Sequence, residues 1–235
     1  MKRTVLLLAV VVMASSAYAA LIYDNGGFIT QPGNPAWSQC AATRNTAGSN
    51  FNNASPGAVA DDFTIPAGQF WNLTELEFYG YQTGSSTTST FTGMYVRIFN
   101  GSPLGGASVL WGDTTTNRLT SSVWSGVYRV FNGSIGDTQR PVMKNMVTLS
   151  GSPQLGPGTY YIAVSATGSL TSGPWANYTE PELATDNAQQ FWGSAWQMML
   201  APTNKGDLPF KLYGDVVPEP ASLLLLGLGL LLRRR

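Results

Sequence analysis

Histidine is absent from this 235-residue chain, and cysteine occurs once, as Cys40. The first absence excludes a Ser-His-Asp or Cys-His catalytic arrangement, a histidine zinc ligand and an imidazole general base. The second excludes an internal disulfide and a CxxC redox or zinc pair, and Cys40 is expected as a small buried apolar residue. Charged residues are scarce, at 11% of the chain, and no GxGxxG or Walker-type loop is present to cradle a phosphate. Between the two ends no stretch carries the apolar period of a helix of ten or more residues, a turn near Glu182 to Gln190 being the one exception. No internal repeat of fixed period occurs, which weighs against a propeller or solenoid. No cofactor is expected.

What is present is clearest at the ends. Lys2 and Arg3 precede an apolar stretch, Thr4 to Ala14, and then Ala17-Tyr18-Ala19. A positive start, a short apolar run and an A-x-A site predict a signal peptide over 1–19, cut after Ala19 by signal peptidase. At the other end stand Val217-Pro218-Glu219-Pro220, an apolar run from Ala221 to Leu232, and Arg233-Arg234-Arg235. Those twelve apolar residues reach only about 18 Å as a helix, against a hydrocarbon core of roughly 30 Å. They read as a marginal membrane helix, with the arginines on the cytoplasmic side and the body across the membrane from them. Pro218 and Pro220 forbid a helix upstream, so the preceding segment should be extended and open to an enzyme.

The order Val217 to Pro220, a Leu/Gly-rich segment containing Leu223 to Gly229, and a terminal arginine cluster resembles the PEP-CTERM sorting signal. The resemblance implies export, transient inner-membrane anchoring, and processing by the protease-transpeptidase exosortase, with release to the cell surface or extracellular matrix. Val217, Pro218, Glu219, Pro220 and Arg233, Arg234 and Arg235 are the sorting residues that it implies.

Charge is affected by removal of both ends. The five basic residues of the ends and Glu219 depart, leaving eight basic against twelve acidic residues in the body, a net charge of −4. An acidic body argues against a nucleic-acid partner.

Residues 20–216 are expected to form one domain, with 20–58 loop-rich after a short strand at Leu21 to Tyr23, and 217–235 as the sorting signal. Strand signals bounded by Gly, Pro, Asn or Asp fall at 59–65, 73–79, 94–99, 108–111, 123–131, 143–149, 159–167, 191–199 and 210–213. The step from Leu73 to Leu76 breaks the two-residue period and predicts a bulge or bend. Asp215 to Val217 reads as a linker. Short strands without βαβ alternation predict an all-β fold, an antiparallel β-sandwich that is jelly-roll-like or immunoglobulin-like. The stretches Ala58 to Ile65, Tyr128-Arg129, Arg140-Pro141 and Leu155 to Ile162 also resemble the bodies of other PEP-CTERM β-sandwich proteins, which implies the same fold and no activity.

Candidate chemistry in the body is sparse. Glu75 and Glu77 share one strand face, roughly 7 Å apart by strand rise, a spacing open to a glycosidase pair or to a solvated surface. Asp61 and Asp62 point to opposite sides of a strand; the inward one requires a partner, either Arg129 or Arg140, or Ca²⁺ with loop carbonyls. Seven tryptophans suggest stacking on sugars, with Trp175 and Tyr178 in one loop and Trp111 beside Asp113 as candidate contacts. Trp192 and Trp196, four apart, are expected to share a strand face and pack. Together these features predict an exported, non-enzymatic surface or matrix protein acting in adhesion or exopolysaccharide association. The alternative is a carbohydrate-binding module or a hydrolase working by carboxylates alone.

Overall fold

In the computed structural model the described residues are 19–41, 46–131, 133–180, 187–199 and 206–218. The signal peptide expected over 1–19, apart from Ala19, and Glu219 to Arg235 with the helix expected there, lie outside them. Among the described residues the fold is all-β, with a single 3-10 turn at Pro103–Gly105 and no helix long and apolar enough to cross a membrane.

The strands form two sheets. The first has the order β1 (Ala20–Asp24), β14 (Phe210–Pro218), β5 (Gln69–Tyr81), β9 (Pro141–Thr148), β8 (Leu119–Val130) and β2 (Ala36–Gln39), with β11 (Trp175–Ala176) and β3 (Ser49–Asn50) joined to the far end of β5. The second runs β13 (Ala195–Met198), β12 (Gln189–Trp192), β4 (Ala58–Ile65), β10 (Gly158–Gly168), β6 (Phe91–Phe99) and β7 (Val109–Gly112). Alternation sets the inward faces. Leu76, Phe78, Val147, Phe210 and Leu212 of the first sheet share one buried cluster with Phe63, Met94, Val96, Ile98, Ile162 and Val164 of the second. Each such side chain contributes roughly 1.5–3 kcal/mol by leaving water. Two sheets closed over one core is the arrangement of a β-sandwich.

The bulge is present where the sequence pattern breaks. Tyr213 pairs with Glu75 but Gly214 with Leu73, so Thr74 is the extra residue on β5; its hydroxyl donates to Tyr213 O at 3.2 Å. Three expectations are corrected. Pairing is antiparallel except at the edge of the first sheet, where β2 runs parallel to β8, Ala36 opposite Val127. The chain between them includes several strands of both sheets, so no crossover helix is needed. The stretch 191–199 is not one strand: Gly193 adopts φ 68° and turns the chain into the β12–β13 hairpin. Asp215 to Val217 is not a linker either, since β14 continues to Pro218 opposite Gln69.

This topology gives the body two distinct poles. Ala20, where the mature chain is predicted to begin, lies opposite Gly214, and β14 ends four residues later. Both predicted processing points therefore lie at one pole. The last residue of β5, Tyr81, pairs with Trp175 toward the other, about 40 Å from the Pro218 end and about 26 Å from the level of Ala20 by strand rise.

Candidate functional site

The pole remote from the termini holds a run of shallow depressions. The β12–β13 turn raises Trp192, 54% exposed. Trp192 and Trp175 line a depression of about 240 Å³ with Asn50, Gln190 and Gln197. Trp175, half-buried, donates from Nε1 to Ser172 Oγ at 3.3 Å, and Gln190 Nε2 donates to Asn50 O at 3.0 Å. Two indoles with amide side chains between them make a surface that can stack on a sugar face and hydrogen-bond its hydroxyls. A neighbouring depression of about 270 Å³ shares Trp192, and another of about 180 Å³ shares Trp175. A fourth, of about 290 Å³, contains Pro56, Arg97 and Phe191. Among the described residues no carboxylate lines any of the four.

Of the tryptophan-centred candidates, the structure brings only Trp175 to this surface. Tyr178 is fully buried: its hydroxyl is hydrogen-bonded with Ser49 Oγ at 2.9 Å and its ring lies below the Arg129 guanidinium. Trp111 is half-buried on β7, with the Arg118 guanidinium 4.2 Å from its ring centre, so that face is already covered. Trp196 packs edge-on against Phe99 and Phe191. Trp192, expected to share a strand face with Trp196 and pack, does not: the turn at Gly193 puts the two on different strands of the β12–β13 hairpin, and Trp192 is exposed.

Arg129 and Arg140 do not serve Asp61. Arg129 meets Glu180 at 3.1 Å, both buried, and donates to Ala47 O and Ser38 Oγ at 2.8 Å each. Arg140 meets Asp137 at 2.7 Å. Asp61 is the inward member of its pair. It is fully buried and accepts from Leu208 N at 2.7 Å, Asn25 Nδ2 at 2.8 Å and Asp62 N at 2.9 Å. These donors occupy both carboxylate oxygens, and among the described residues no group of three acidic, His or Cys side chains could hold a metal.

Burial, reinforced by the nearby Asp207 carboxylate, pushes Asp61 well above the usual carboxylate range. A raised folded pKa contributes stability that is complete below the unfolded value of about 4 and is lost as pH rises toward the folded value. Urea midpoints are expected to fall from pH 4 to pH 7, with a flatter slope in Asp61→Asn. An equal slope in both proteins would remove Asp61 as the cause.

The Glu75–Glu77 pair does not face a cleft. Glu77 is buried and accepts from the Tyr79 hydroxyl at Oε1 and from the Tyr213 hydroxyl at Oε2, the latter at 3.0 Å. Burial and this carboxylate push the Tyr213 phenol up to about 12. The expected solvated face is thus a closed carboxylate–phenol group at Glu77, while Glu75 remains half-buried.

Of the sorting residues, Val217 and Pro218 are described, paired with Phe70 and Gln69. β1 covers β14 only as far as Gly214, so among the described residues Asp215 to Pro218 are paired from one side. The family model described as PEP-CTERM protein-sorting motif matches residues 216–235. No curated protein and no solved structure matches the chain. The motif suggests an exosortase-sorted, secreted protein, and implies processing by exosortase with transient membrane anchoring before release.

Proposed function

We propose that this chain is a non-enzymatic surface or matrix protein whose sorted body associates with extracellular polysaccharide through the pole remote from its processed ends. The observation that carries this reading is the pairing of exposed Trp192 with Trp175 across an amide-lined depression. Polarity supports it. Both predicted processing points lie at the opposite end of β5, so a body held at its termini presents the tryptophans outward. Signal peptidase at Ala17-Tyr18-Ala19 and exosortase at the tail are the processing partners in this reading. Lack of histidine, and depressions with no carboxylate among their described lining residues, support binding over hydrolysis.

The test is an array of extracellular polysaccharides probed with the full chain. Binding is expected to weaken roughly tenfold or more in Trp175→Ala and again in Trp192→Ala, by analogy with base–aromatic stacking worth about 1–3 kcal/mol. Trp111→Ala should bind as the wild type does. No binding to any polysaccharide, or undiminished binding by the double Trp175/Trp192 variant, would remove this reading.

A further inference from the structure

Among the described residues, Arg97 at this pole meets no carboxylate. Arg97 projects from the outer face of β6, half-buried, with its guanidinium centre 5.4 Å from the Phe99 ring centre and 5.6 Å from that of Trp196. The two rings steady the group by cation–π contact. Among the described residues it forms no ion pair, whereas Arg118, Arg129, Arg140 and Lys211 each meet a carboxylate within 3.3 Å.

Arg97 lines the depression of about 290 Å³. The polar groups sharing that wall satisfy one another: Ser165 Oγ donates to Asn53 Oδ1 and Asn53 Nδ2 to Thr114 O, both at 2.9 Å. Asp113, next to this wall in sequence, is engaged by Arg118 at 3.3 Å and by the amides of Thr115 and Thr116. The guanidinium donors are therefore left for something from outside. Partial desolvation without a partner costs free energy that a carboxylate would recover, and the planar guanidinium fork matches a carboxylate in shape. The depression also adjoins the aromatic surface, because Pro56 lines both it and the depression under Trp192.

We propose that Arg97 forms an anion subsite for the carboxylate of an acidic sugar, in a polysaccharide that continues over Trp192. The proposal rests on the polysaccharide reading and narrows it to uronate-type polymers. The body's net acidity gives a polyanion no general attraction, so binding depends on Arg97 and on the stacking beside it.

The full chain, purified in detergent, would be titrated with alginate oligomers, with dextran of equal length and with dextran sulfate. Alginate is expected to bind about tenfold more tightly than dextran, the effect of one charge-assisted pair. Arg97→Gln should bring alginate down to the dextran level without changing dextran affinity, and Arg97→Lys should restore part of the difference. If Arg97→Gln does not fold, salt decides the matter with the wild-type chain, since 0.5 M NaCl should abolish the alginate preference and leave dextran binding intact. Equal affinity for alginate and dextran, a preference that survives Arg97→Gln, or preference for dextran sulfate over alginate would overturn the carboxylate subsite while leaving the polysaccharide reading in place. Failure to bind any of the three polymers would overturn both.

Discussion

Replacing Arg129 with methionine is expected to lower the unfolding free energy by about 3–5 kcal/mol, the range seen when one member of a buried ion pair is removed. Three of its donors are engaged inside the protein, by Glu180 at 3.1 Å and by Ala47 O and Ser38 Oγ at 2.8 Å each. Methionine fills much of the stem volume but leaves the Glu180 carboxylate buried against an apolar neighbour. Arg129→Lys should lose less, because the charge persists while the fork is lost. A double Arg129→Met/Glu180→Gln variant should recover part of the loss, which urea unfolding of the four proteins would show. The effect should also reach the candidate site, since Ala47 lies beside Ser49 and Asn50, which line the Trp175–Trp192 depression. Equal stability of Arg129→Met and the wild type would mean that the buried pair is not formed.

Replacing Glu219, or Arg233 to Arg235 together, is expected to be all-or-none in a different measurement. The variant body should melt as the wild type does, yet remain full-length in the membrane fraction. The fold explains why the two properties separate. The last strand reaches Pro218, and the core positions Phe210 and Leu212 lie well upstream of the motif. Removal of the chain beyond Pro218 leaves every β14–β5 pairing in place. Release of either variant at the wild-type level, followed by immunoblotting of membrane and soluble fractions, would count against sorting through this tail.

The strands that were legible in the sequence were those with one buried face. Met94, Val96 and Ile98 alternate and are all fully buried, and the 73-to-76 step marks the Thr74 bulge. Less legible were features set by distant partners. The parallel seat of β2 beside β8 depends on a pairing about ninety residues away, which no local period records. Adjacency showed that one of Asp61 and Asp62 points inward but not which, and the donors of Asp61, Asn25 and Leu208, come from opposite ends of the body. Arg129 was visible as a partner for an acid; that the acid is Glu180 depends on how the segment after β11 folds back. At the surface, Trp175 could be singled out from its loop as a candidate, whereas the exposure of Trp192 depends on the Gly193 turn and the isolation of Arg97 on which carboxylates the fold keeps from it.

Processing at both ends of a body that presents its tryptophan-bearing pole away from them is the central claim, and intact-mass analysis of the protein recovered outside the cell tests its processing half most directly. The prediction is a species that begins at Ala20 and lacks Arg233 to Arg235, ending after Pro218 so that β14 is complete. A recovered chain that retains Met1 or Arg235, or one truncated within Phe210–Pro218, would contradict it.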